Sequence, residues 1–254
     1  DFSALLNSVS EDERKTNNMS WFTQFLTSSI GRKLLMSLTG LFLILFLIVH
    51  LIGNLQLLSA DGGRSFNLYA EFMTSNPLIK TISYGLYFFI LLHAVQGLII
   101  WSKNRTARGG QGYAVKVTRA VTPNGSIAKS MGWLGTIILI FILLHMYQFW
   151  LQMKMGTVDM AEYDGEKVKD LFTLVSAAFK DPIYVVIYVV SMIVIAFHLW
   201  HGFQSAFQTL GLNHRKYTPF IQGLGKVYSI AVPLGFALIP ILMFLGITLN
   251  IGLH

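Results

Sequence analysis

The sequence predicts an all-α membrane protein with five transmembrane helices. Hydrophobic residues make up 54% of the 254-residue chain and charged residues only 12%, which is not the composition of a soluble globular protein. Several apolar runs reach the roughly 20 residues that a helix needs to cross a bilayer. Short segments of alternating polarity, which are typical of membrane β-strands, do not occur. These three observations together define the fold class.

The five apolar segments that we take as spans lie at 34–58, 78–101, 131–153, 183–212 and 227–253. The fourth is long enough to tilt or to project beyond the bilayer. The fifth contains Pro233 and Pro240, and we expect kinks there of the kind that lipid-embedded helices tolerate.

A polar segment of mixed charge precedes the first span. We therefore divide the chain into an amino-terminal tail with an interfacial segment, residues 1–30, and a single five-helix transmembrane domain, residues 31–254. The order of charged and apolar residues in the tail is wrong for a signal peptide. Met19 is an alternative natural start, which would make the first 18 residues an extension.

Lysine and arginine in the connections predict the orientation. Three regions are basic: the start of the first span, the second connection and the fourth. Their basic residues are Arg32, Lys33, Lys103, Arg105, Arg108, Lys116, Arg119, Lys129, Arg215, Lys216 and Lys226. The other two connections mix acids with lysines. We therefore expect a bacterial cytoplasmic (inner) membrane protein with its amino terminus inside and its carboxyl terminus outside. The basic loops would bind either anionic lipid head groups or an acidic partner subunit.

Five histidines lie inside the predicted spans. The first three spans carry His50, His93 and His145, and the fourth carries both His198 and His201. A single such residue is explained by a neutral imidazole that hydrogen-bonds a neighbouring helix. Histidines on four helices indicate bis-imidazole haem, in which iron takes one nitrogen from each of two facing helices. Zinc is less favoured, because the chain has no cysteine and no intramembrane carboxylate to complete a site.

Depth predicts how the histidines pair. At about 1.5 Å per residue, His50 lies roughly 16 Å below the outer residue Asp61, and His145 lies at a similar depth. His93 and the fourth-span histidines lie deeper. We therefore expect an outer pair of His50 with His145, an inner pair of His93 with a fourth-span histidine, and two haems stacked across the membrane.

Depth does not choose between His198 and His201, which are three residues apart and share much of one helix face. Gly202 follows His201 directly, and glycine permits close approach of a flat macrocycle. This favours His201 as the ligand. His198 stays open as an alternative ligand or as a haem neighbour.

The residues around these histidines resemble a known family. SLTGLFLILFLIVH at 37–50, ILLHAVQGL at 90–98, ILLHMYQ at 142–148 and WHGF at 200–203 resemble the five-helix, di-haem cytochrome b subunit of succinate:menaquinone oxidoreductases and quinol:fumarate reductases. The resemblance covers all five spans. It implies one haem b between the first and third spans and another between the second and fourth. The family's fourth-helix ligand precedes a glycine, which corresponds to His201.

The resemblance implies partners and a reaction. A flavoprotein with covalently bound FAD would act on succinate or fumarate, as succinate dehydrogenase or fumarate reductase does in the tricarboxylic acid cycle and the respiratory chain. An iron–sulfur subunit would pass electrons to the inner haem, and quinone, as menaquinone, would react in the membrane subunit. The lack of cysteine fits, because this chain cannot hold cysteine-ligated clusters. We expect membrane lipid but no nucleic acid as a partner, and we leave a higher-order oligomer of the complex open.

Three further residues are candidates for the site. Arg32 and Lys129 could pair with haem propionates at the inner end. Glu71, in NLYAEFM, lies where some family members have an acidic residue that works in quinol chemistry, so it is a candidate for proton transfer at the quinone site. The alternative for Glu71 is a solvated loop carboxylate.

Two other functions remain in competition. One is the cytochrome b subunit of another quinone-linked enzyme, of the hydrogenase or formate dehydrogenase type. The other is a haem-free transporter in which the histidines relay protons, which would favour intramembrane acids or discontinuous helices.

Overall fold

The structure, a computed structural model, describes residues 20–108 and 123–249, with the side chains of 20–106 and 130–249. Within these residues, five helices are long and apolar enough to cross a membrane: Ser29–Leu58, Pro77–Thr106, Ser130–Met155, Pro182–Thr209 and Thr218–Phe244. The predicted class, an all-α membrane protein with five spans, is therefore confirmed.

The helices and strands follow in chain order. They are α1 Trp21–Thr27, α2 Ser29–Leu55, a 3-10 turn Gln56–Leu58, α3 Arg64–Ser75, α4 Pro77–Arg108, α5 Pro123–His145, a π-helical segment Met146–Leu151, α6 Gln152–Met155, β1 Met160–Tyr163, β2 Glu166–Lys169, α7 Leu171–Phe179, α8 Pro182–Thr209 and α9 Thr218–Phe244. The helix of the first span begins at Ser29, inside the segment that was assigned to the tail.

The first four spans form a ring. Helix α2 packs against α4, α4 against α5, α5 against α8, and α8 against α2. The first and third spans therefore lie opposite each other, as do the second and fourth. The fifth span, α9, packs outside this ring against α8 and α2.

The fifth span lies nearer the amino terminus than the hydropathy pattern predicts. It begins at Thr218 rather than at 227, and Lys226 lies inside the helix rather than in the connection. A proline in its first turn favours an early start, because proline fits the first helical position. The helix ends before Gly246, whose φ of 67° leaves the helical region. Pro233 and Pro240 both lie inside this continuous helix.

The two mixed connections fold into a small unit that we call the cap: α3, the β1–β2 hairpin and α7. The sequence analysis did not predict it. The hairpin turns at Asp164 and Gly165, which have φ values of 52° and 86°. Asp-Gly is the residue pair that a two-residue turn of this kind favours. Arg64 on α3 forms an ion pair with Asp164 at the tip of the hairpin.

Asn67 joins the parts of the cap. Its side-chain nitrogen donates to the Tyr163 hydroxyl at 3.0 Å and to the Asp170 carboxylate at 3.0 Å. Its oxygen accepts from the backbone N–H of Phe172 at 2.9 Å. The residue is fully buried, with 0% exposure. One side chain thus connects α3, the hairpin and the start of α7.

Two aspartates of the mixed connections have lowered pKa values. Partial burial opposes the ionisation of Asp170, but hydrogen bonds from Thr173 and Asn67 outweigh it and hold its pKa below the usual range. Burial likewise opposes the ionisation of Asp61, and hydrogen bonds from Ser65 and Gly63 lower its pKa. Both carboxylates organise helix starts, Asp170 by accepting from Thr173 N and Asp61 by accepting from Ser65 N.

The cap is packed on the ends of the spans. Phe66, Val175 and Phe179 share one hydrophobic cluster with Leu58 and Ile239. After the fifth span the chain returns to the same place, where the backbone N–H of Leu249 donates to the Leu58 carbonyl at 2.6 Å. This end of the bundle is therefore closed by contacts among the first span, the last span and the cap.

Candidate functional site

The outer histidine pair lies inside the ring of helices. His50 of α2 and His145 of α5 face each other across the bundle, with ring centroids 5.8 Å apart and planes crossing at 86°. Phe46 stacks on His50 at 5.1 Å and Phe236 lies 5.5 Å from it. Phe149 lies 5.4 Å from His145. The pair is thus enclosed mainly by aromatic rings.

The proton of His145 is fixed by its neighbours. The Tyr188 hydroxyl donates to Oε1 of Gln148 at 2.8 Å, which commits its only hydrogen. The contact of 3.3 Å between Nδ1 of His145 and this hydroxyl therefore has Nδ1–H as the donor. Nε2 of His145 is left without a proton, as a metal ligand must be.

His50 has a different neighbour. Nδ2 of Asn54 donates to the His50 carbonyl at 2.7 Å and lies 3.3 Å from Nδ1 of His50. An amide nitrogen is only a donor, so Nδ1 of His50 is the acceptor in this contact and the proton lies on Nε2.

The inner pair consists of His93 of α4 and His198 of α8. Their ring centroids are 6.3 Å apart and their planes cross at 70°. The Thr39 hydroxyl donates to the Leu35 carbonyl at 2.7 Å, so Nδ1–H of His93 donates to Thr39 at 3.1 Å. Gly40 lets α2 approach, because an added Cβ would lie 3.3 Å from Cε1 of His93.

The imidazole that lies against His93 is that of His198, whereas the sequence analysis favoured His201 as its partner. Positions three apart differ by about 60° around a helix, so the two imidazoles point in different directions. Among the described side chains, no ring contact joins His93 to His201. Gly202, the reason for preferring His201, has no heavy atom within 4 Å of an added Cβ. Nδ1 of His198 is buried and has no hydrogen-bond partner within the part of the chain that the structure describes.

The other predicted site residues are Glu71, Arg32 and Lys129. Glu71 is a half-buried residue of α3 in the cap. Tyr69, on the same helix, packs so closely on Gly53 that an added Cβ would lie 2.5 Å from its ring, and burial there raises the pKa of Tyr69. Arg32 donates from Nε to the Thr27 carbonyl at 2.9 Å. The side chain of Lys129 is outside the described residues.

Four polar residues of the site were missed by sequence reasoning: Thr39, Asn54, Gln148 and Tyr188. Spacing could have found two of them, because Asn54 lies four residues after His50 and Gln148 three after His145. Tyr188 carries no such signal, since it reaches His145 from another helix.

Comparison of the chain with protein-family models, with curated proteins and with solved structures found no match.

Proposed function

We propose that this chain is the membrane-anchor cytochrome b subunit of a succinate:quinone oxidoreductase. It would hold two b haems and carry electrons between an iron–sulfur subunit and the quinone pool. The proposal rests on one observation. Four helices each present a histidine to the inside of one ring, and the histidines meet in two diagonal pairs with centroids 5.8 and 6.3 Å apart.

The spacing suits iron between two imidazoles. Two imidazoles that each gave one nitrogen to an iron ion, with metal–nitrogen bonds of about 2.0 Å, would have ring centroids about 6 Å apart. Both pairs have this separation, and their ring planes cross at 86° and 70°. His50 with His145 and His93 with His198 would therefore be the ligand pairs.

The hydrogen bonds of two ligands support the same assignment. His93 and His145 each donate Nδ1–H to an oxygen, on Thr39 and Tyr188, and each keeps Nε2 free for a metal. Ligating histidines are usually held in this way. His50 differs, because Asn54 offers it a donor. Ligation through Nε2 of His50 requires its proton on Nδ1, and therefore a turn of the Asn54 amide that presents oxygen to the ring.

Haem iron, by changing between its ferric and ferrous states, would supply one-electron chemistry at each pair. The residues of the chain hold and shield that site. Thr39 and Tyr188 fix the orientation of two imidazoles, and Phe46, Phe149 and Phe236 limit the access of water to the outer pair.

The partners follow from the proposal. Because the chain has no cysteine, it cannot hold cysteine-ligated clusters, so an iron–sulfur protein would have to be a separate subunit. A flavoprotein with FAD would deliver electrons to that subunit. The basic connections would form the docking surface for these subunits on the cytoplasmic side. Menaquinone remains the expected quinone, Arg32 and Lys129 the expected propionate partners, and Glu71 the candidate for proton transfer.

The haem content of the purified protein tests the proposal. A pyridine haemochrome assay on the full chain, purified with its associated subunits, should give two b haems per chain. A flavoprotein and an iron–sulfur protein should co-purify. Absence of haem would overturn the proposal in favour of a histidine proton relay, and a hydrogenase or formate dehydrogenase partner would identify a different cytochrome b.

A further inference from the structure

A groove of about 360 Å³ lies between the second and third spans. Its wall on α4 includes Ile90 and Ala94, and its wall on the third span includes Ile142 and Met146. The volume falls at the lower end of the range typical of small-molecule sites, which is about 300–1,000 Å³.

The mouth of the groove opens to the outside of the bundle. Leu91 and Leu143 contribute to its lining from the two helices, and they are 64% and 62% exposed. Since these helices span the membrane, a molecule enters here from the lipid phase rather than from water.

A polar pair lies in this otherwise apolar lining. Nε1 of Trp150 donates to the Tyr87 hydroxyl at 2.8 Å, and the two rings meet at 5.7 Å. An indole N–H can only donate, so the hydrogen of the Tyr87 hydroxyl is not used in this bond. No acceptor for it is found among the described residues. A hydroxyl donor without an acceptor is costly in an apolar environment.

The depth of Tyr87 limits the choice of occupant. It lies ten residues inside Pro77, which corresponds to about 15 Å along the helix. At this depth a phospholipid presents only acyl chain, which offers no acceptor, because its ester and head-group oxygens lie at the edge of the roughly 30 Å hydrocarbon core. A planar ring with carbonyl oxygens and an apolar tail would supply an acceptor within the hydrocarbon core.

The groove also runs beside both histidine pairs. Ala94 follows His93 in the chain and Met146 follows His145, so one helix of each pair contributes to the wall. A ring bound there lies next to the helical turns that carry both sites.

We propose that this groove binds quinone from the lipid phase, with the Tyr87 hydroxyl donating to a quinone carbonyl and the isoprenoid tail leaving between Leu91 and Leu143. The choice of quinone among carbonyl-bearing amphiphiles rests on the proposed function. The groove is distinct from the region of Glu71, which belongs to the cap.

Tyr87→Phe tests the hydrogen bond. The variant keeps the ring and removes the donor, so the KM for a water-soluble quinone analogue should rise about five- to tenfold, the value of one hydrogen bond. Tyr84→Phe is the matched control, because Tyr84 lies on the same helix, is 63% exposed and does not line the groove. Rates with an artificial dye as acceptor and haem content serve to normalise both variants. Equal KM values for the two variants would overturn the inference.

Photolabelling with an azido-quinone tests the location without relying on turnover. In the full chain within its complex, label should enter peptides containing Tyr87–Ala94 or Ile142–Trp150, and excess unlabelled quinone should suppress it. Label in the groove of a protein without haem would keep the groove site and remove the proposed function. Label near Glu71 in a protein with two haems would keep the proposed function and overturn the groove as the quinone site. Labelling that phospholipid suppresses but quinone does not would make the groove a lipid site and overturn the inference.

Discussion

A histidine has two ring nitrogens, and the groups around the membrane histidines decide which of them carries the proton. At His93 and His145 an oxygen whose own hydrogen is committed elsewhere takes up Nδ1–H. At His198 the same nitrogen is buried and has no hydrogen-bond partner among the described residues. Such outer contacts orient metal-ligating imidazoles and tune their basicity. Each proposed haem site therefore has one imidazole held through Nδ1–H and one that is not.

The choice between His198 and His201 can be tested by substitution. His198→Ala should lower the haem content from two per chain to one, because His198 is the imidazole that faces His93. His201→Ala should retain two. The pyridine haemochrome assay measures both, and the remaining haem in His198→Ala shows that the variant has folded. The opposite result would restore His201 as the ligand, as its adjacent glycine first indicated.

At the scale of elements, the sequence predicted what depends on transfer to lipid and missed what depends on contacts between distant segments. Long apolar runs gave the five spans. The predicted start of the fifth span lies too far along the chain, because the first turns of the helix, including Lys226, are polar enough to resemble a loop. The cap was missed because its short helices and strands are stabilised by one another. Asp164 and Gly165 carried a turn signal that could have located the hairpin.

Asn67 should be the residue on which the cap depends most. Asn67→Ala removes three hydrogen bonds and leaves buried groups on α7 and the hairpin without partners, which should cost about 2–4 kcal/mol in the free energy of opening the cap. Limited proteolysis of the hairpin in native membranes measures this opening. Arg64→Ala is the control, because its exposed ion pair with Asp164 should contribute less than about 1 kcal/mol. Equal cleavage rates in the two variants would contradict this role of Asn67.

At the scale of the whole molecule, the arrangement of the spans is what makes a site from separate histidines. The sequence predicted which spans carry histidines and that they lie at two depths. It could not predict that His198 rather than His201 faces His93, because helix rotation depends on packing against neighbouring spans. Nor could it predict Tyr188 as a partner of His145, since that contact joins residues 43 apart in the chain.

Orientation is a property of the whole molecule that remains a prediction. Because the chain has no cysteine, single-cysteine variants give an unambiguous readout. Lys167→Cys in the hairpin should react with a membrane-impermeant maleimide in intact cells, and Lys216→Cys should react only after permeabilisation. Both positions are exposed, so reactivity reports their side of the membrane. The reverse pattern would place the cap in the cytoplasm and contradict the orientation expected from the basic connections.

The hydrogen bond from Leu249 to Leu58 has a mechanical consequence. It joins the chain beyond the last span to the end of the first span, beside the cap. A force that pulls on the chain after the fifth span must break this hydrogen bond before it can draw a helix out of the bilayer. At the end of the bundle that carries the cap, this contact therefore opposes extraction of the fifth span.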